Sequence, residues 1–493
     1  MEKRYLLFDF GASHGRCIVA KFSGESFVME EIHEYENRSV QFAGTLYWDI
    51  LRLVSEIKIG MQKAFAKYPD IVSVGIDTWG CDFGFIDRNG KLLSNPCNYR
   101  DKLRYKYKPI LDNDFGEYNI FRLSGANTVD IMGLYHLYAL HKEKAAELEY
   151  ADKFLMIPDL MNYYLTGIAA NEYTDATMSL MVDQAGKKWQ DEILEPLGIR
   201  RDFFCPIVMP GNVLGNLSKS ICNEFEVSSV PVINVASHDT ASAIAGIPLA
   251  RTDEEWAFIS LGTWAIYGIE TERQYLSQDV FESGFANQGG CEGKTNFVNL
   301  FTGLWVIQQC YERWCKDLGK KIDWDVVISS AEAAEGGKAF INLDAPEFAQ
   351  PNPNMPREIQ KYCQQSGQGV PEGMGEIARC VFESLVMKFK NCHANVERFT
   401  GAKTELLHVV GGGSKNRLLC QWTADALGVS VMAGPAETTS VGNLLIQLKA
   451  TGEIDSLTDG RRISGLSATP KEYTPSNDRK WDEYYGRYMT AMK

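Results

Sequence analysis

The chain opens on an apolar run, residues 5–8, that ends in Asp9. A small polar turn follows from Gly11 to Gly15, then two stretches rich in apolar residues, 16–22 and 27–35, parted by Ser23 and Gly24. Short apolar stretches bounded by turn residues predict three strands joined by tight turns. Between 49 and 68 the period changes, with Ile50, Val54, Ile57, Met61 and Phe65 recurring at helical spacing. Residues 71–76 and 81–86 read as strands again, and the Asp87-Arg-Asn-Gly90 tetrapeptide as a hairpin turn. Residues 130–200 predict mainly helix. Near 256 the opening plan recurs: WAFISLGTWAIYGIE is strand, glycine-containing turn, strand, and it follows the charged segment PLARTDEEW. A strand at 406–410, a three-glycine turn, a helix from about Asn416 to Leu427 and another over 439–451 complete the pattern. The expectation is an α/β protein in two halves, 1–248 and 249–493, each opening on a β-turn-β unit.

A chain of 493 residues exceeds one ordinary core, which suits two domains. Hydrophobic residues make up 45% and charged residues 23%, the balance of a soluble globular protein. A net charge of −14 repels phosphate backbones and anionic lipid, so neither nucleic acid nor membrane is an expected partner. No apolar stretch reaches the roughly 18 residues of a transmembrane helix. The N-terminal apolar run breaks at Asp9 with no signal-type cleavage site after it, so a cytoplasmic location is expected. The 12 cysteines show neither CxxC pairs nor zinc spacing with histidine and read mostly as buried apolar residues. Cys363 and Cys380 flank a polar loop and could approach each other; the sequence leaves their pairing open.

Several segments can carry chemistry. In Asp9-Phe-Gly-Ala-Ser-His-Gly-Arg16 a carboxylate ends a buried strand. Gly11 and Gly15 let backbone amides approach a phosphate, while Ser13, His14 and Arg16 add donors and charge. Asp9 could hold Mg²⁺ through water; the plain alternative is a glycine-rich hairpin. Ser260-Leu-Gly-Thr263 is the matching turn of the second half, and a phosphate clamp needs two faces. Gly411-Gly412-Gly413-Ser-Lys-Asn416 allows close backbone approach to a base or phosphate. It is neither a Walker A nor a GxGxxG sequence, and could be a simple strand–helix connection. Asp239, in Ser237-His238-Asp239-Thr240, is placed after a strand to accept a hydroxyl proton, or else it or Ser237 caps the next helix. Asp77, Trp79, Gly80 and Asp82 suit sugar recognition if the tryptophan is exposed, with a buried core tryptophan as the alternative. Asn98-Tyr-Arg-Asp101 is a further polar cluster.

Taken in order, DFGASHGR, GIDTWGCDF, NYRD, MIPD, VASHDTASAIAG, SLGTW, GLWVIQ, VGGGSKNRLL and AGPAETTSVGN resemble the motifs of the FGGY carbohydrate kinases, relatives of actin, hexokinase and the large heat-shock chaperones. The resemblance spans nearly the whole chain and is greatest to the rhamnulose-kinase branch. It implies two ribonuclease-H-like domains about a central active-site cleft. The implied activity is ATP-dependent phosphorylation of a 6-deoxy ketose at O1, with L-rhamnulose the expected substrate and L-fuculose the rival. ATP and Mg²⁺ are the implied cofactors, a small sugar the partner, and a monomer or homodimer the assembly. Gly11, Ala12, Ser13, His14, Gly15 and Arg16 would contact ATP phosphates, with Asp9 near the metal. Thr263 would reach the outer phosphates, and Gln308, Gly412, Gly413 and Asn416 would lie by the nucleotide. Asp239 would be the proton acceptor; Gly80, His238, Asp239 and Thr240 would line the sugar beside Asp77 and Trp79, with Asn299 one residue from a family asparagine. The chain departs from the family pattern at His14, often Ser there, and at residues 131–135. Two readings of another kind are a sugar-independent, chaperone-like ATPase and a sugar-binding sensor.

Overall fold

The computed structural model describes residues 2–249, 255–476 and 478–492. Residues 250–254, in the charged segment expected at the domain junction, lie outside the described residues. The chain forms two compact units. The first comprises Met1–Thr252, Glu270–Phe297 and Thr438–Ser467; the second comprises Asp253–Ile269, Val298–Glu437 and Ala468–Lys493. The chain thus returns twice to the first unit after residue 252, which the alternation of apolar and polar positions does not reveal.

In the first unit a six-stranded sheet runs in the order Val213–Asn216, Pro231–Ile233, Ile71–Thr78, Lys3–Phe10, His14–Phe22, Phe27–Glu36. The last three form an antiparallel meander, as the opening pattern predicts. Lys3–Phe10 and Ile71–Thr78 run parallel, as do Ile71–Thr78 and Pro231–Ile233. Tyr5, Leu6, Leu7 and Phe8 are fully buried, so both faces of this central strand are covered and it reads as a continuous apolar run. The helix Ile50–Lys67 is capped by Asp49, whose side chain accepts from the Arg52 N–H, and buries Ile50, Leu53, Ile57, Met61 and Phe65 on one face. Leu53, rather than the expected Val54, lies on that buried face.

Residues 133–194 carry the expected helices, Gly133–Glu143, Ala146–Tyr150, Ile157–Thr166, Tyr173–Thr177 and Asp191–Leu194. They also hold a short strand, Lys153–Met156, paired antiparallel with Phe83–Ile86. The Asp87–Gly90 turn is present, closed by the Gly90 N–H on the Asp87 carbonyl at 2.9 Å. It returns the chain only to a single bridge, Ile86 opposite Leu92.

The second unit repeats the opening plan. Trp256–Leu261 and Trp264–Thr271 form an antiparallel hairpin; Trp256–Leu261 runs parallel to Leu406–Val410, which runs parallel to Ser430–Ala433. The long helix Gly373–Thr400 packs against the helices Trp324–Ala333 and Arg417–Leu427. Cys363 and Cys380 are both buried here as free thiols in side-chain contact.

Two first-unit helices cross in backbone contact. A Cβ on Gly442, in the helix Thr439–Ala450, would fall 1.8 Å from the Ser242 carbonyl oxygen. One on Gly246, just past the helix Asp239–Ala245, would fall 2.2 Å from the Thr438 carbonyl oxygen. Gly442→Ala is therefore expected to destabilise the fold by about 1–3 kcal/mol through overpacking. Gly486→Ala, at a helical position with nothing near the added methyl, should instead stabilise it by about 0.5–1 kcal/mol. Urea unfolding midpoints of both variants check the pair of signs.

Candidate active site

The first unit gathers charge at the ends of its parallel strands. Asp9 and Asp77 are register partners on adjacent strands, and Arg16 faces Asp9 from the other side. The Arg16 guanidinium donates to Asp9 Oδ2 at 2.9 Å, and Ser440 Oγ donates to the same oxygen at 2.7 Å. Asp77 is fully buried and accepts from Asn443 Nδ2 at 2.6 Å. Burial, then the charge of Asp9, pushes its pKa well above the carboxylate range. The helix Thr439–Ala450 supplies both partners from one face, and Gln447 continues the row: its amide donates to Asn443 Oδ1 at 2.8 Å and its carbonyl accepts from Ser73 Oγ at 2.6 Å.

The turn after Asp9 is tied back by Asn37. Its N–H donates to the Ser13 carbonyl at 2.8 Å and its Nδ2 to the Gly11 carbonyl at 3.1 Å. Engaging those carbonyls holds their negative ends inward, as an anion-binding turn requires. Ser13 and His14 are exposed, Gly11, Ala12 and Arg16 half-buried, and Gly15 is packed beneath the Tyr35 ring.

Asp239 begins the helix Asp239–Ala245, whose N-cap is His238, and no side-chain capping bond is made there. The capping alternative for Ser237 or Asp239 is thereby set aside. Asp239 keeps a third of its side chain exposed and accepts from Thr240 Oγ1 at 3.2 Å. Desolvation by the surrounding protein, followed by the charge of Asp9, lifts its pKa to about 7. His238 is buried, and burial lowers its pKa to about 4, so the ring is neutral at pH 7. Its Nε2 lies 3.6 Å from Asp239 Oδ1, too far for a hydrogen bond. Gly80 is buried against Met178, Asp175 and His238.

Three expectations for sugar contact need correction. Trp79 is not an exposed ring: it is 4% exposed, its centroid lies 4.1 Å from that of Trp48, and its Nε1 donates to Asp82 Oδ2 at 3.0 Å. Asp82 is fully buried, accepts from Trp48 Nε1 at 2.6 Å and from the Tyr99 N–H at 3.2 Å, and pairs with the buried Arg104. Its carboxylate is saturated by the protein, because a buried charge must be paired and hydrogen-bonded. Asp77, enclosed by strand and helix, likewise offers no open surface. What opens beside the first turn is a cavity of about 350 Å³, lined by Ala12, Ser13, Arg38, Trp48, Asn98 and Arg100 among others. It takes in part of the 98–101 polar cluster, while Arg38 and Trp48 carry no motif that sequence reasoning could have caught.

In the second unit Thr263 is exposed at the hairpin turn, and its hydroxyl donates to Gln308 Oε1 at 3.2 Å. Segment 303–305 holds the turn: the Leu304 N–H reaches the Gly262 carbonyl at 2.8 Å and the Gly303 N–H the Thr263 carbonyl at 3.0 Å. The three glycines after Leu406–Val410 differ in role. Gly411 has φ +83° and would press a Cβ into the Leu261 carbonyl at 2.8 Å, Gly413 packs on the Leu261 side chain, and Gly412 faces open space. Asn416 Oδ1 caps the helix Arg417–Leu427 through the Leu419 N–H at 3.1 Å, so only its amide nitrogen is left for a ligand. Asn299 is buried on the strand Thr295–Thr302 in this unit, whereas the other expected sugar residues belong to the first.

Among the described residues no three His, Cys, Asp or Glu side chains converge on a metal cage. A single held carboxylate, Asp9, suits a cation that keeps its waters and binds mainly through phosphate.

Two family models cover most of the chain: the N-terminal domain of the FGGY family of carbohydrate kinases over residues 4–246, and its C-terminal domain over 257–451. The chain belongs to the FGGY family of carbohydrate kinases. It is a sugar kinase. It is 33% identical over 493 residues to a protein named rhamnulokinase from Bacteroides thetaiotaomicron, covering 100% of both chains. It is 35% identical to one of the same name from Enterococcus faecalis, covering 100% of this chain and 98% of that one. Among solved structures, a ligand-bound xylulose kinase from Lactobacillus acidophilus superposes with a TM-score of 0.82 at 15% identity, over 99% of this chain and 97% of that one. A Plasmodium falciparum glycerol kinase with ADP gives 0.79 at 14% identity, again over 99% and 97%. At such identities the likeness shows the fold, and the α/β, actin- and hexokinase-type architecture expected from the motifs is the one observed.

With its pKa lifted to about 7, Asp239 in a proton-accepting role predicts that kcat/KM for the sugar falls with a one-proton limb as pH drops through about 7. A pH–rate profile checks this; an acid limb at the ordinary carboxylate value would contradict it. The raised pKa also means that the folded state holds this proton more tightly than the unfolded chain. Stability from this group is therefore lost as pH rises from about 4 to 7. Asp239→Asn should gain in Tm relative to the parent across that window.

Proposed function

We propose that this kinase transfers the γ-phosphoryl group of ATP to O1 of a 6-deoxy ketose, with L-rhamnulose as substrate and Mg²⁺ as the metal. The observation that carries the chemistry is Asp239, a one-third-exposed carboxylate poised near pH 7 beside a neutral histidine. A group with that pKa can take the proton of a sugar hydroxyl at neutral pH and release it afterwards. The choice of sugar rests on the full-length likeness to curated relatives named rhamnulokinase.

In this reading Asp239 accepts the O1 proton, while His238, Thr240 and Gly80 shape the sugar's surroundings. The amides and side chains of Gly11, Ala12, Ser13, His14, Gly15 and Arg16 meet the phosphates. Thr263 meets the outer phosphates, with Gln308, Gly412, Gly413 and the Asn416 amide beside the nucleotide and Asn299 on the sugar. Asp9, fixed by Ser440 and Arg16, holds hydrated Mg²⁺. When bound, that ion neutralises charge on the phosphates and lowers the barrier to phosphoryl transfer. In this proposal residues 1–248 carry most of the sugar side together with the first phosphate turn, and residues 249–493 carry the nucleotide side together with Asn299. The enzyme works in the cytoplasm on a small-molecule sugar, as a monomer or homodimer.

Asp239→Asn should retain ATP binding and lose about 10²–10⁴-fold in kcat, read by isothermal titration and a coupled ADP assay. The substrate is tested by the same assay against L-rhamnulose, L-fuculose, L-ribulose, D-xylulose and D-ribulose. The expected result is the highest kcat/KM for L-rhamnulose. A higher value for L-fuculose or a pentulose would overturn the substrate, and ADP release indifferent to every sugar would overturn the acceptor chemistry.

A further inference from the structure

Two side chains outside the expected set, Glu172 and Thr174, grip the backbone on which Asp239 stands. After the strand Pro231–Ile233 the chain passes through residues 234–238 before turning into the helix Asp239–Ala245. On one side this stretch leans on the end of Ile71–Thr78: the Thr78 N–H donates to the Ser237 carbonyl at 2.8 Å, and Thr78 and His238 form a parallel bridge. On the other side Glu172 Oε2 accepts from the Ser237 N–H at 3.1 Å, and Thr174 Oγ1 accepts from the His238 N–H at 3.3 Å. The two acceptors are linked, because the Thr174 hydroxyl donates to Glu172 Oε2 at 2.6 Å. Glu172 is fixed in turn by the N–H groups of Thr174, at 3.0 Å to each oxygen, and of Asp175 at 3.3 Å. Glu172, Thr174 and Ser237 are fully buried.

Capping of the helix Tyr173–Thr177 accounts for the bonds from Thr174 and Asp175. It does not account for those from Ser237 and His238, which reach Glu172 and Thr174 from more than sixty residues away in the chain. We propose that Glu172 and Thr174 are positioning residues for the reaction: their two bonds set the backbone of Ser237 and His238, and hence the direction of the Asp239 carboxylate one residue on. This rests on Asp239 being the proton acceptor. The leverage is large, since a misplacement of about 1 Å can cost on the order of 10²-fold in rate.

The test compares Thr174→Ser, which keeps the hydroxyl, with Thr174→Val, which keeps the shape and loses the acceptor, in the full-length protein. Thr174→Ser should turn over close to wild type. Thr174→Val should lose about tenfold or more in kcat with the KM for ATP unchanged, and the same change added to Asp239→Asn should cost nothing further. Should Thr174→Val not fold, Thr174→Ala, which also lacks the acceptor, is read in the same way. A wild-type kcat in the variant that lacks the acceptor overturns the proposal, as does an equal loss in both backgrounds. Asp239→Asn with normal turnover overturns the base assignment and this proposal together; an inactive Asp239→Asn beside a fully active Thr174→Val overturns the positioning role alone.

Discussion

Two aspartates side by side at the ends of adjacent parallel strands set the terms for the first unit. Asp9 and Asp77 occupy the same register, and two unscreened carboxylates so placed would repel strongly in a buried setting. The fold resolves this unequally. Asp9 receives Arg16 and Ser440, while Asp77 is sealed under Asn443 and driven toward its protonated form. The helix Thr439–Ala450 makes that resolution and also touches the helix led by Asp239 through Gly442 and Gly246. Charge at the strand ends and placement of the Asp239 carboxylate are therefore properties of one packed arrangement.

The charge of Asp9 reaches further. After desolvation it is the second cause that raises Asp239 into the neutral range, against the opposing hydrogen bonds from Thr240. A carboxylate with an ordinary pKa would be a weak base toward a sugar hydroxyl, and one raised much further would stay protonated. One carboxylate, held by Arg16 and Ser440, thus helps set the protonation of another. The nearby carboxylates Asp82 and Glu172 are engaged by the protein itself, each surrounded by donors from several segments.

What could be read from the chain was local. The β-turn-β openings, the helix capped by Asp49 and the glycine turn before Arg417–Leu427 follow from periodicity and short-range turn chemistry. Asp239 stood out because it follows a strand and precedes a helix. What could not be read depends on partners distant in sequence. Trp79 suits a core as well as a sugar platform, and only its stacking on Trp48 decides between them. Asn37, Ser440, Glu172 and Thr174 are common residue types in unremarkable surroundings, and their roles come from bonds to residues tens or hundreds of positions away. The strand Lys153–Met156 was lost among helices because it spans four residues and pairs with a distant one. The return of segments 270–297 and 438–467 to the first unit leaves no mark in composition.

The central claim is that this chain moves a phosphoryl group onto O1 of a 6-deoxy ketose. Its most direct test is the structure of the product: incubate the protein with ATP, Mg²⁺ and L-rhamnulose and record the proton-coupled ³¹P spectrum of the sugar phosphate formed. The account predicts a single new phosphomonoester whose phosphorus couples to the two C1 protons. A phosphate coupled to any other carbon's proton, or inorganic phosphate as the sole product, would contradict it.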